Sequence, residues 1–405
     1  MWPATKIVIT YSVIFNSLRM LIGATSSVYL LSKGVSLVDL GLMKTMQASV
    51  FFILDIPTSY LADKISRKYA ITLSVFFGGA WLVLTGISSS LYSFYLAEFF
   101  NAISLTIIGG TYHSYLIDVY KSEGGKDTHR ILGINSKYHY MSMAIAAMIG
   151  AAIGNVDSRW IWIFAGMGSF ILMFFCFLLP ESQVKSVDGE KSGLINDIKE
   201  IYSLLIKGSK DFLFIFFAVV SNIVYFQILL QYWQPYAFHG FSGGIKSSFS
   251  YGILFVFILM AQSAAGWIIS RISDNKKLIW FGLLLMLVSS GICLLGGKHY
   301  PYLIPVALIF MFGSNQYLTM GLRAVYHDYF DASLRSTFDS LLSTFARLIV
   351  LMLLPTVAYL TETFGWQIMS YSLIILSLIV ISFYVFSLKL SLRQTHKRSL
   401  PTQIR

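Results

Sequence analysis

Residues 54–68, LDIPTSYLADKISRK, join two apolar segments through a short charged turn. An apolar run, 49–54, leads into the stretch, and a second apolar run begins at Tyr69. Between them stand Asp63 and a basic run that ends at Lys68. In a membrane protein such a turn ends one spanning helix and begins the next, and its cations favour the cytoplasmic side. The stretch therefore predicts two neighbouring membrane helices packed side by side.

The composition of the chain is that of a membrane protein. Of its 405 residues, 56% are hydrophobic and 12% are charged, whereas a soluble protein carries about 25% charged residues. A helix needs about 20 apolar residues to cross a bilayer, and twelve segments meet this requirement. The predicted spans are 5–31, 37–62, 69–89, 92–119, 133–154, 158–179, 210–234, 247–270, 278–297, 301–325, 336–360 and 364–388.

The basic residues are distributed unevenly between alternate loops. If the chain begins on the inner side, the outer loops hold only Lys33, Arg159, Lys246 and Lys298 of the 30 lysine and arginine residues, and most of the others lie in inner loops. The positive-inside rule then places both termini in the cytoplasm. The net charge of +11 follows from this topology, and since no single basic face exists we do not expect nucleic-acid binding.

One long polar stretch, 180–209, divides the first six spans from the last six. The two halves also contain a weak internal repeat, because GWIISRISDN at 266–275 is a degenerate copy of residues 59–68. A weak repeat at half the chain length predicts duplicated helical bundles. The predicted organisation is an N-terminal bundle at 1–180, a cytoplasmic linker at 181–209, a C-terminal bundle at 210–390 and a cytoplasmic tail at 391–405. Cys176 and Cys293 fall within spans, so neither a disulfide nor a metal site is expected.

Four stretches of the sequence resemble motifs of the major facilitator superfamily. Residues 59–68, SYLADKISRK, are similar to its G-x-L-A-D-R-x-G-R-K loop, with serine in place of both glycines. The preceding residues 55–58, DIPT, resemble the E-I-P-T-G form of a drug-exporter-like branch. Residues 96–118, with LAE, GGT and LID, and residues 335–341, RSTFDSL, resemble further motifs of that branch. A glycine–proline pair usual in the fifth helix of exporters is missing, which leaves the direction of transport open.

The resemblance implies an all-α integral membrane fold of twelve transmembrane helices in two six-helix bundles. It implies a proton-coupled exporter of a small amphipathic, drug-like or peptide-like compound, working as a monomer without a cofactor in a bacterial inner membrane. A proton-coupled importer of a nutrient or siderophore-type solute is the alternative, and a membrane enzyme or receptor is a third reading. The resemblance also assigns a conformational switch to Asp63, Arg67, Asp118 and Asp339, and it predicts an Arg67–Asp118 ion pair.

Ionisable residues inside the predicted spans are candidates for function, because a charge at the bilayer centre costs about 3 kcal/mol. Glu98 and Arg19 are the first candidates for proton coupling, with Asp55 as a second titrating site. A carboxylate beside an arginine can alternate between paired and protonated states. Polar stripes at helical spacing add candidates for the substrate cavity: Asn16, Gln47, Asn101, His113, Asn222, Gln227, Gln231, Asn315 and Arg347.

Each candidate also has a structural interpretation. Glu98 and Arg19 can form a static pair that only holds helices together, and Asp55 can be a packing partner. Arg347 suits an anionic or amide-rich substrate or a purely structural role. Asp39 and Lys44, near the outer end of the second span, can be solvated by an outer vestibule.

Overall fold

The computed structural model describes residues 3–64, 66–126, 128–181, 210–240, 248–269, 275–298, 300, 302–327 and 335–398. These residues are almost entirely helical. In chain order the helices are α1 (Pro3–Met20), α2 (Ser26–Ser32), α3 (Leu37–Lys64), α4 (Arg67–Ile87), α5 (Leu91–Ser122), α6 (Thr128–Phe174), α7 (Lys210–Gly240), α8 (Ser248–Ile269), α9 (Asn275–Lys298), α10 (Leu303–His327), α11 (Arg335–Phe364) and α12 (Gln367–Arg398). A 3₁₀ turn, Phe175–Leu178, follows α6.

Ten stretches of these helices are long and apolar enough to cross a bilayer. Many of their large apolar side chains are exposed, including Phe52, Ile53, Phe164 and Met352. An apolar side chain that faces lipid loses nothing by exposure, so this pattern fits helices embedded in a membrane. The turn predicted within residues 54–68 is confirmed, since α3 ends at Lys64 and α4 begins at Arg67.

The first predicted span, 5–31, is not one helix as expected. It breaks between α1 and α2, where Gly23 donates to the Met20 carbonyl at 2.9 Å and Thr25 donates to the Ile22 carbonyl at 3.1 Å. Helix α6 approaches closely here, because a Cβ on Gly150 would lie 1.7 Å from the Leu21 carbonyl oxygen. Hydropathy does not register such a backbone approach, which is why the prediction was wrong.

The fifth and sixth predicted spans, 133–154 and 158–179, are joined in one helical assignment, α6. A straight helix of 47 residues would be about 70 Å long. Yet Ile131, just before the first of these spans, and Leu179, the last residue of the second, belong to one buried cluster together with Val8 and Tyr115. The chain therefore reverses direction within α6, and its two arms form an antiparallel pair.

The fold consists of two helical bundles. Clustered by proximity, the described residues fall into two compact units: the first draws on Met1–Val187, Gly244–Leu259 and Leu354–Tyr359, and the second on Asp188–Gly243, Met260–Leu353 and Leu360–Arg405. In the first unit, α5 packs on α3 and α4, while α6 packs on α1 and α4. In the second, α7 packs on α10 and α12, and α9 packs on the same two helices. Nearly all of the predicted linker, 181–209, lies outside the described residues.

The start of α1 is capped by a residue distant in sequence. The Glu123 carboxylate, just past the end of α5, accepts hydrogen bonds from the backbone N–H groups of Ala4 at 2.9 Å and Thr5 at 2.8 Å. It also accepts one from the Thr5 hydroxyl at 2.5 Å. A carboxylate at a helix N-terminus satisfies otherwise unpaired donors and the helix dipole, so Glu123 ties α1 to α5.

Candidate functional site

A buried ion pair lies between α3 and α5 in the first unit. The Lys44 ammonium donates to Oε1 of Glu98 at 2.6 Å, and Glu98 is 6% exposed. The two helices run parallel, because Tyr95 on α5 also contacts Asp39 on α3 at 3.2 Å. Lys44 and Glu98 each stand seven residues after the start of their helix, about 10 Å along it. The matching depth brings the two charges together.

A second cation joins this pair through a neutral amide. Asn101, one turn after Glu98, donates to Glu98 Oε1 at 3.0 Å and accepts from Arg19 Nη2 at 2.5 Å. Arg19 also donates to the Ser104 hydroxyl at 3.4 Å. Its guanidinium lies 4.6 Å from the ring centroid of Trp81, a cation–π contact that partly offsets its desolvation. The result is a continuous network from α3 through α5 to α1.

The cation that pairs with the carboxylate is Lys44, whereas the sequence suggested Arg19. Arg19 reaches Glu98 only through Asn101, although both residues belong to one network, as their polar stripes indicated. Oε1 of Glu98 carries both hydrogen bonds, while Oε2 makes none to a residue that the structure describes. An oxygen with open lone pairs beside a held cation can accept a proton or an N–H group.

At the opposite end of α5, Arg67 at the start of α4 forms an ion pair with Asp118. The pair predicted from the loop motif is therefore present. The Asp118 side chain is 38% exposed and that of Arg67 17%, so this contact lies at the surface of the unit. Asp55, Asp63 and Asp339 lie in helices, but their side chains are outside the described part of the structure.

The remaining first-unit candidates stand apart from the network. The Asn16 amide donates to the Ser12 carbonyl at 2.8 Å and is thereby held against its own helix. Gln47 is half-buried one turn after Lys44. His113 is exposed, and its ring packs beside Tyr112 with centroids 5.5 Å apart.

In the second unit the candidates separate into two groups. Asn222 on α7 and Asn315 on α10 are 2% and 4% exposed. The Asn222 amide donates to the Thr319 hydroxyl at 3.2 Å. Gln227, Gln231 and Arg347 are only half-buried. Gln227 lies five residues from Asn222, about 140° around the helix, so the two do not share a face.

Sequence reasoning underrated Lys44 and missed Trp81 and Ser104. A lysine seven residues into an apolar helix, level with a glutamate on a neighbouring parallel helix, is a signal that could have identified the pair. Trp81 carried no such signal, because an aromatic residue in a membrane helix usually packs against lipid or core.

Comparison with known proteins agrees with this architecture. The family model described as Major Facilitator Superfamily matches residues 7–338. No curated protein matches the chain. Similar solved structures include a mutant of the nucleoside transporter NupG, with a TM-score of 0.78 and 12% identity over 96% of this chain and 100% of that one.

Two further structures have the same fold. A bacterial homologue of the human lysosomal transporter Spinster has a TM-score of 0.76 and 15% identity, covering 97% of this chain and 98% of that one. A D-xylose–proton symporter has a TM-score of 0.69 and 13% identity, covering 94% and 97%. The family match spans most of the sequence, and the helices have the architecture that its motifs predict. The chain therefore belongs to the major facilitator superfamily of multi-pass membrane transporters.

Proposed function

We propose that this transporter exports a small amphipathic, drug-like or peptide-like compound in exchange for protons, and that Glu98 carries the proton. The observation that supports the proposal is the buried Lys44–Glu98 pair, with N···O at 2.6 Å, inside a membrane helix bundle. A carboxylate in such a place is costly, and it is tolerated there because a cation balances it.

The exchange follows from the unused oxygen of Glu98. A solute that presents an N–H group to Oε2 requires the carboxylate to be ionised, whereas a proton on the same group removes the acceptor. Solute and proton then exclude each other at Glu98. Exclusion is what exchange requires, because the proton entering from outside must release the solute and the solute entering from inside must release the proton.

The conformational step is assigned to the other end of α5. The Arg67–Asp118 pair joins the start of α4 to the last turns of α5. We propose that it stabilises one of the two alternating states, together with Asp63 and Asp339. In this proposal both termini are cytoplasmic, the membrane is a bacterial inner membrane, and the chain works as a monomer.

The test uses Glu98→Gln, which keeps the size and polarity of the side chain but cannot ionise. Export would be screened against a panel of antibiotics and peptides in a sensitised host. For a compound that is exported, proteoliposomes would report proton movement driven by its gradient. We expect Glu98→Gln to abolish proton movement and to make solute binding independent of pH. The control is Glu123→Gln, a carboxylate outside the spans, and unchanged proton flux in Glu98→Gln would refute the proposal.

Uptake of an anionic solute together with a proton is the second candidate. It is favoured by an excess of positive charge, because the network contains two cations, Lys44 and Arg19, and one carboxylate, Glu98. Among the described residues, Arg19 donates hydrogen bonds only to neutral acceptors. Asp39, the nearby acid on α3, is held by the Ser36 hydroxyl at 2.6 Å and by Tyr95. The sign of the pH effect separates the candidates: acidification weakens solute binding in an exchanger and strengthens it in a co-transporter.

A further inference from the structure

Two buried amide oxygens in the second unit lack hydrogen-bond partners. Oδ1 of Asn222 on α7 and Oδ1 of Asn315 on α10 accept no hydrogen bond from any described residue. Both side chains are more than nine-tenths buried. A buried acceptor that gives up water without gaining a donor destabilises the fold, so two of them on packed helices call for an explanation.

The two asparagines lie on facing surfaces of α7 and α10. The Asn222 amide donates to Thr319 at 3.2 Å, and Thr319 stands one helical turn after Asn315. Turning over the Asn222 amide would let Thr319 donate to the oxygen, but it would leave both amide N–H groups without this partner. The site is therefore short of partners in either orientation.

Aromatic rings extend the same two surfaces. Phe312, three residues before Asn315, packs edge-on against Phe226, with centroids 5.8 Å apart, and against Trp233, with centroids 6.5 Å apart. Phe226 and Trp233 follow Asn222 by four and eleven residues, which are positions on one helix face. Unpaired acceptors beside ring edges and faces suit a ligand that has N–H donors next to an apolar body.

We propose that Asn222 and Asn315 form a solute subsite that takes an N–H-rich head group, a primary amine or amide, with its apolar part against Phe226 and Phe312. The subsite is closed in this structure, so the head group enters between α7 and α10 as those helices rearrange during transport. The proposal rests on the transport function above, but neither on its direction nor on proton coupling.

The same class of head group suits the first unit. An amine or amide N–H is also what the open Oε2 of Glu98 can accept, and an amine would face competition from Lys44 there. The hydroxyl groups of a sugar could also donate hydrogen bonds to the Asn222 and Asn315 oxygens. The experiment must therefore distinguish binding of an amine or amide from binding of a sugar.

The experiment measures binding of phenylalaninamide to the purified full chain in lipid nanodiscs, with phenylacetic acid and xylose as comparison ligands. The variants are Asn222→Leu and Asn315→Leu, which preserve side-chain volume and remove the acceptor. We expect each to weaken phenylalaninamide binding about tenfold, the effect of one hydrogen bond. We also expect Asn315→Leu to raise the melting temperature of the ligand-free protein.

The matched control is Asn135→Leu in the first unit. Asn135 is 5% exposed, but its Oδ1 accepts from the Tyr112 hydroxyl at 2.6 Å. This variant should lower the melting temperature and leave phenylalaninamide binding unchanged. The proposal is overturned if both second-unit variants bind the probe normally, if Asn315→Leu is destabilised as Asn135→Leu is, or if xylose binds and phenylalaninamide does not.

Failure of the subsite and failure of proton coupling have different signatures. Glu98→Gln addresses coupling by proton movement, whereas the asparagine variants are assessed by binding and melting alone. Normal proton flux in Glu98→Gln with weakened probe binding in Asn315→Leu would reject Glu98 as the carrier and retain the subsite.

Discussion

The two units differ in how their candidate functional side chains are paired. In the first unit Glu98, Lys44 and Arg19 carry full charges, and each is bonded to a neighbour in one network. In the second unit Asn222 and Asn315 are neutral, and the side-chain oxygen of each accepts no hydrogen bond from a residue that the structure describes. A charged group inside a membrane needs a partner of opposite charge. A neutral amide that lacks a hydrogen-bond partner destabilises the fold by less than an unpaired charge does. In the proposed mechanism the first unit carries the charge for proton coupling, and the second provides acceptors for the solute.

Two glycines, one in each unit, have very different surroundings. A Cβ on Gly150, in the first unit, would lie 1.7 Å from the Leu21 carbonyl oxygen, while a Cβ on Gly291, in the second, would meet nothing within 4 Å. The backbone of α6 at Gly150 is therefore in direct contact with the backbone at Leu21, whereas Gly291 has room for a larger residue.

The largest expected effect comes from breaking that backbone contact. Gly150→Ala should destabilise the protein by about 3 kcal/mol, because α6 must move away from the α1–α2 break. Gly291→Ala is the matched control and should stabilise by about 0.5–1 kcal/mol, as alanine does in a helix interior. Thermal unfolding in detergent measures both, and equal effects at the two sites would contradict the contrast.

Removing one charge of the first-unit network should have the next largest effect. Lys44→Met leaves Glu98 without its cation and should destabilise by about 2 kcal/mol, less than for a fully buried pair because the Lys44 side chain is 29% exposed. The double variant Lys44→Met/Glu98→Leu should be more stable than the single one. Additive losses in this cycle would show that the two side chains do not interact.

The Arg67–Asp118 pair should affect transport more than stability. Arg67→Gln should change the free energy of unfolding by less than about 1 kcal/mol, since the pair is partly exposed, and should slow turnover several-fold without altering solute affinity. Lys68→Gln removes a neighbouring charge that contacts the Phe177 carbonyl at 3.4 Å and serves as the control. Equal turnover in both variants would refute a role in the conformational switch.

The smallest expected effect is a pH dependence at Glu123. Burial raises the pKa of this carboxyl, but hydrogen bonds from Thr5 and Ala4 outweigh it, and the net pKa lies below its ordinary value of 4.5. The stability from the ionised group is therefore fully present above pH 4.5 and is lost as the pH falls through the lowered pKa. Melting temperatures measured on acidification should fall less steeply in Glu123→Gln than in the wild type, and parallel curves would exclude the cap.

The sequence predicted the parts of the fold that depend on local pattern. The turn after α3 and the Arg67–Asp118 pair followed from one motif, and the polar stripe on α5 placed Glu98 and Asn101 correctly on one face. The polar stripes did not identify the cation that pairs with Glu98, because this requires comparing the depths of Lys44 and Glu98 in the two parallel helices α3 and α5. Likewise, the break after Met20 comes from α6 approaching at Gly150, and the Glu123 cap joins residues more than a hundred positions apart.

Infrared difference spectroscopy of Glu98 tests the central claim most directly. The carbonyl stretch of a protonated carboxyl would be followed on acidification of the purified protein, and the Glu98→Gln variant would identify the band. We expect phenylalaninamide, added at constant pH, to remove the Glu98 band, because solute and proton exclude each other there. A band that grows on adding the solute, or does not respond to it, would contradict exchange at Glu98.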